Sequence, residues 1–171
     1  LLNNDTAVDT SWLAKLVQAL DDHRDYDFAA SRMVFYSDPE ILNAAGDIWS
    51  WKWMVGDNRG FRRPASEYGA TERVLGACAG AALYRRALFD QVGLFDEGFF
   101  LSSEDTDLNL RCLIAGKRCL YVPAARVRHK HRASIDTRPA AAMLRLAARN
   151  EALVAAKDLP AEVLLLTPIL W

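Results

Sequence analysis

The sequence has no apolar run that could cross a bilayer. Its most hydrophobic stretch, residues 163–171, is broken by Thr167 and Pro168 and falls far short of the roughly 20 residues a spanning helix requires. Cysteine is scarce: Cys78, Cys112 and Cys119 lie far apart among apolar neighbours, which offers neither a disulfide framework nor a C-x-x-C metal site and suits a reducing compartment. Excess charge of either sign is absent. With 21 Lys and Arg against 22 Asp and Glu the net charge is -1, and the basic pieces at 59–63 and 126–132 are too short to make a nucleic-acid surface. No internal repeat or low-complexity tract occurs, and the opening Leu1-Leu2-Asn3-Asn4-Asp5 has no charged n-region, apolar h-region or initiator Met. The expectation is a chain that begins inside something larger. What is present, 171 residues with 51% hydrophobic and 25% charged, is the composition of one ordinary globular domain.

The most informative stretch is Phe99-Phe100-Leu101-Ser102-Ser103-Glu104-Asp105-Thr106-Asp107-Leu108. It predicts an apolar loop delivering Glu104, Asp105 and Asp107 to the first turn of a helix that runs to about Ala115. Ser102 or Ser103 is the cap, Leu108, Leu110, Cys112, Leu113 and Ile114 form the apolar face, and Gly116 is the stop. Acids there are favoured by the helix dipole, which is one complete explanation of them. The other is chemical: the bulky Phe99-Phe100-Leu101 should bury the loop and desolvate at least one carboxylate, raising its pKa toward the range of a general base. A calcium loop beginning at Asp105 fails, because Leu110 stands where Gly is needed and Gly116 where Glu is needed.

Elsewhere, Leu1-Leu2 reads as the end of a buried strand running into a polar turn. That puts Asp5 where α/β sheets bind ligands, although an Asx turn explains it as well. A helix is expected from Asp9 or Thr10, with Trp12, Leu13, Leu16, Val17 and Leu20 at helical spacing and Asp9 as cap. Residues 28–36 read as a strand, 57–68 as a mobile or extended loop, 85–92 as a short helix stopped by Gly93, 117–122 as a strand closed by Pro123, 125–131 as a further strand, and 139–157 as a helix. Trp49, Trp51 and Trp53 alternate at period two, which suits packing on a strand face and also a stacking platform for a sugar ring, with Trp51 as the candidate. The Gly76-Ala77-Cys78-Ala79-Gly80 run lacks the Lys-Ser/Thr of a P-loop, so its glycines point to close approach of backbone or ligand. His129 and His131 share a strand face with Val127, a pattern most often produced by solvated histidines.

Taken in order, four segments resemble the second half of an inverting glycosyltransferase of family 2, GT-A type, most closely the bacterial rhamnosyltransferase-like members. They are Leu1-Leu2-Asn3-Asn4-Asp5-Thr6; Gly76 to Ala81 with Arg85-Arg86-Ala87-Leu88-Phe89 and Val92-Gly93-Leu94-Phe95-Asp96-Glu97; the Glu104-Asp105-Thr106-Asp107-Leu108 stretch; and Tyr121-Val122-Pro123 through Val127-Arg128-His129 with Ser134. The family's D-x-D has Asn3 at its first carboxylate, so only Asp5 is carried over, and His131 stands where relatives often have Gly.

The resemblance implies an α/β fold, a partial GT-A (nucleotide-diphospho-sugar transferase-like) mixed sheet flanked by helices, with the amino-terminal nucleotide-binding β-α-β unit missing. Residues 1–137 would be the acceptor and metal side of the catalytic domain, and 138–171 a carboxyl-terminal helix with an apolar tail. It implies transfer of a sugar from a nucleotide-diphosphate donor to a glycan or lipid-linked acceptor hydroxyl, with Asp105 as general base and Glu104 beside it. Asp5 and His129 would ligate a divalent cation, Mn(II) or Mg(II), and Gly76, Ala77, Cys78, Ala79, Gly80, Asp107 and Trp51 would bind substrate. The expected setting is cytoplasmic, at the inner membrane face, with self-association through an exposed sheet edge. The segment by itself is expected to be inactive, and the rival readings are a non-catalytic acceptor-binding or assembly fragment and a small metal-binding α/β module using Asp5, His129 and His131.

Overall fold

The run Phe-Ala-Ala-Ser-Arg-Met-Val-Phe is apolar at nearly every position, the pattern of a strand covered on both faces, and it forms β2 (Phe28–Phe35). The computed structural model describes residues 1–50, 55–131 and 140–164. β2 lies inside a six-stranded mixed sheet in which β1 (Thr6–Val8), β8 (Cys119–His129), β2 and β3 (Leu42–Ala44) follow one another, while β6 (Glu72–Val74) pairs with β8 and β7 (Ala82–Tyr84) with β2. β2 and β8 run parallel; the other pairings in this sheet are antiparallel. β4 (Asp47–Ser50) and β5 (Val55–Asn58) form a separate hairpin.

Helices cover both faces. α1 (Trp12–Asp22) buries Trp12, Leu16 and Leu20 against Met33, Leu120 and Val127, and the Trp12 indole N–H is satisfied by the Ser31 hydroxyl at 2.8 Å. On the opposite face α2 (Arg86–Val92) and α3 (Glu104–Ile114) bring Leu88, Leu108 and Cys112 onto Phe28, Val34 and Tyr121. Burial of each large side chain stabilises by about 1.5–3 kcal/mol, so these two clusters fix the sheet between its helices. α4 (Ala140–Asp158) docks on α3 through Val154, which packs with Phe99 and Leu110.

The structure departs from the sequence reading in several places. Leu1 and Leu2 are exposed, and Leu2 makes only an isolated bridge to Ala81, so the buried strand expected there is absent. The N-cap position of α1 is Ser11, not Asp9; Asp9 contributes its backbone carbonyl to the Trp12 N–H. Residues 117–122 and 125–131 are not two strands split by Pro123. β8 runs through them, and Pro123, which has no N–H for the ladder, sits with Ala124 and Ala125 where the register jumps from Ser31↔Val122 to Arg32↔Arg126. The 57–68 segment is tied down: Arg59 donates to the Ala45 carbonyl and to Glu72 Oε1 and stacks over Tyr68, and Ala65–Glu67 forms a 3-10 turn. In α3, Leu113 and Ile114 lie outside the buried face, and Phe100 points to solvent while Phe99 is buried.

Candidate active site

The site lies where β1 meets β8 and where α3 begins. Asn3 donates its N–H to the Gly80 carbonyl at 2.9 Å, and Lys130 donates its N–H to the Asp5 carbonyl at 3.0 Å, so the turn before β1 is held between two segments. The β1–β8 register sets Thr6 opposite His129 and brings the Asp5 carboxylate to the imidazole: Oδ1 is 3.2 Å from Nε2. His129 is buried, contrary to the solvated reading, and its Nδ1 contacts Asn43 Oδ1 at 2.8 Å.

α3 starts on a strained turn. Ser102 and Ser103 both have left-handed backbone, φ 72° and 68°, and neither side chain caps the helix as expected; Ser103 occupies the N-cap position without a side-chain bond. Asn150 of α4 secures this turn by donating to the carbonyls of Leu101 and Ser102 at 2.9 and 2.7 Å. From here successive residues diverge. Asp105 reaches the cleft, where Oδ2 accepts from the Ala79 N–H at 3.2 Å and Oδ1 from the Thr106 N–H at 2.9 Å. Burial raises its pKa, opposed by those two backbone donors. Glu104, beside it, is also raised by burial and by the Asp105 charge, and its Oε2 is buried without a hydrogen-bond partner among the described residues.

Asp107 is not in the cleft. It is fully buried and engaged by Arg111 at 2.6 Å and by Lys157 at 2.6 Å, so the carboxylate expected to touch substrate instead ties α3 to α4. Gly76 and Ala77 are also structural. A Cβ on Gly76 would stand 2.1 Å from the Asn109 side chain, and Ala77 exchanges backbone bonds with that amide. Cys78, Ala79 and Gly80 do line the cleft. Trp51 lies outside the described residues, as does Ser134; Trp49 lines the cleft and packs against the Phe99 cluster.

Two residues were missed. Asp47 is buried at the cleft wall, with Oδ2 accepting from Asn109 Nδ2 at 2.6 Å, and its pKa is pushed well up by desolvation and by the nearby Asp105 and Asp57 charges. The signal for Asn109 was available: an amide between Leu108 and Leu110 on a buried helix face needs a polar partner.

The resulting cleft encloses about 480 Å³, with Asp5 and His129 on the sheet side and Asp105, Glu104 and Asp47 around the start of α3. Among the described residues no group of three or more His, Cys, Asp or Glu side chains converges on one point; Asp5 and His129 form a pair. An anionic carboxylate oxygen and an imidazole nitrogen suit a divalent cation whose remaining ligands come from a bound phosphate or water.

The family model of glycosyltransferase-like family 2 matches residues 1–150. N-acetylglucosaminyl-diphospho-decaprenol L-rhamnosyltransferase of Mycobacterium tuberculosis (strain ATCC 25618 / H37Rv) is 44% identical over 71 residues, 41% of this chain and 23% of that protein. Rhamnosyltransferase WbbL of Escherichia coli (strain K12) is 41% identical over 78 residues, 45% of this chain and 29% of that protein. A crystal structure of GalNAc-T7 with UDP, GalNAc and Mn2+ shares the fold at TM-score 0.55 and 21% identity, over 72% of this chain and 26% of that one. The stretches matched are thus about a quarter of each relative's length. Among the described residues no helix is long and apolar enough to cross a membrane.

Proposed function

The chain belongs to glycosyltransferase-like family 2, a family of sugar-transferring enzymes, and from that premise we propose that its cleft carries out an inverting transfer with Asp105 as general base. The donor is a nucleotide-diphosphate sugar and the acceptor a hydroxyl of a glycan, lipid-linked as in the mycobacterial relative's name. Lipid-linked acceptors would bring the enzyme to the inner membrane surface from the cytoplasmic side.

What supports this reading is the state of Asp105. Its carboxylate opens on the cleft, is held by two backbone N–H groups, and is raised in pKa by burial, which are the properties of a group that must take a proton near neutral pH. A single in-line displacement moves that proton to Asp105 as the acceptor oxygen attacks the anomeric carbon and the diphosphate departs from the opposite face. Asp5 and His129 would hold the divalent cation, which when bound neutralises charge developing on the leaving diphosphate. Glu104 and Asp47 would flank the acceptor side, and burial together with the Asp105 charge raises the pKa of both.

The test is Asp105→Asn in the full-length enzyme. Turnover should fall at least about 100-fold while donor affinity stays nearly unchanged. Retained turnover would move the base to Glu104 or Asp47, and a complete lack of metal-dependent donor binding by the unaltered enzyme would favour the non-catalytic alternative.

A further inference from the structure

We infer that Asn43 is a positioning residue that turns His129 toward a divalent cation and that His131 is its anchor; this rests on the metal reading of Asp5 and His129 given above. Asn43 lies in β3 and is 1% exposed. A buried primary amide is destabilising wherever one of its polar groups is left unpaired. Here both ends are used, and both on imidazoles: Oδ1 contacts His129 Nδ1 at 2.8 Å and Nδ2 contacts His131 Nδ1 at 3.1 Å.

An amide has a donating end and an accepting end, so the two contacts fix the ring protons together. Because Oδ1 accepts, His129 carries a proton on Nδ1. Because Nδ2 donates, the Nδ1 of His131 is bare. The nitrogen that His129 turns to Asp5 is therefore Nε2; its lone pair and the Asp5 oxygen, both acceptors 3.2 Å apart, are reconciled by a cation that the two would share. Orientation of a ligating imidazole through its other nitrogen is the usual way a protein sets the tautomer and direction of such a ligand.

The ring on the far side of the amide is itself held in place. His131 stands edge-on to Phe35, with centroids 5.5 Å apart and planes at 82°, and it packs on Phe61 at 5.6 Å. The fixed ring keeps its Nδ1 against the amide, so exchanging the two amide ends would require both imidazoles to move their protons as well. The line from half-buried Phe35 and Phe61 through His131, Asn43 and His129 ends at Asp5, on the two side chains able to hold a cation.

The experiment uses 15N-labelled full chain, with Mn(II) alone as the affinity probe, read by electron paramagnetic resonance of the free ion, and Mg(II) as the diamagnetic ion for ring-nitrogen spectra. The wild type should bind Mn(II) and show the Nδ1–H tautomer at His129. Asn43→Ala should weaken Mn(II) binding by roughly 10- to 100-fold and lose that tautomer. Asn43→Asp keeps an oxygen opposite His129, so it should preserve the His129 tautomer while moving the His131 proton onto Nδ1, a change that a purely packing role does not produce. Mn(II) affinity in Asn43→Ala within about twofold of wild type, or an Nε2–H tautomer at His129 in the Mg(II)-loaded wild type, overturns the inference and leaves the metal reading standing. Absence of Mn(II) binding by the wild type removes both. If Asn43→Ala does not fold, the Asn43→Asp spectra decide, and an unmoved His131 proton overturns the assignment.

Discussion

Asp47 and Asp105 face the same small volume, and each makes ionisation of its surroundings harder. Burial raises both, and the Asp105 charge raises Asp47 further. A base works in its ionised form, so activity should be full above the raised pKa of Asp105 and fall as pH drops through it; the acid limb of kcat/KM should therefore sit above the ordinary carboxylate range. Asp47→Asn removes a neighbouring negative charge while keeping a partner for Asn109, and the limb should move to lower pH. A limb that stays in place would mean that Asp105 and Asp47 do not share the proton traffic of the site. At this scale the sequence was only partly informative. The order Glu104-Asp105-Thr106-Asp107 announces acids at a helix start, but residues two apart on a helix point in nearly opposite directions, so Asp105 and Asp107 could not both face the cleft. Which one did so depended on Lys157, fifty positions away in the chain.

Between elements, α3 and α4 are joined by a charge cluster at the back of the site. Lys157 Nζ lies 2.6 Å from Asp107 and also meets Asp96, while Arg111 holds the other Asp107 oxygen and donates to the carbonyls of Val92 and Leu94. Removing one member of a buried ion pair leaves an uncompensated charge, but Lys157 is partly exposed and Arg111 remains. Lys157→Met should therefore cost about 1–2 kcal/mol in denaturant unfolding. It should also accelerate amide exchange in α4 more than in β2 or β8; uniform exchange would show that the cluster does not anchor α4 separately. The elements themselves were largely legible. Trp12, Leu16 and Leu20 repeat at helical spacing, the apolar run at 28–35 had to be a covered strand, and Gly93 and Gly116 do end their helices at positive φ. Pro123 misled because a proline stops a ladder locally, whereas a long strand can carry it in a bulge and continue. The order of 57–68 was hidden because it depends on Arg59 finding Ala45, Glu72 and Tyr68, partners that only the fold assembles.

For the whole molecule, the crevice of an open α/β sheet takes its ligand between loops on both sides of the switch point. The cleft described here supplies Asp5, His129 and the acids, and the comparison structure of this fold is matched over 26% of its own length. Calorimetric titration of these 171 residues with nucleotide sugars and Mn(II) is expected to show weak, metal-dependent binding. Tight binding without metal would refute the part given to Asp5 and His129. The three thiols add a means of watching that titration. Cys112 and Cys119 are shut inside the core, whereas Cys78 borders the cleft, its thiol pushed well up by burial and by the Asp105 and Asp47 charges. A sulfur held in the protonated form reacts slowly with electrophiles, and the obstacle is partly the carboxylates beside it. The protein thus carries its own chemical gauge: Cys78 alkylation should quicken when a cation offsets those charges and stop when a donor covers the thiol.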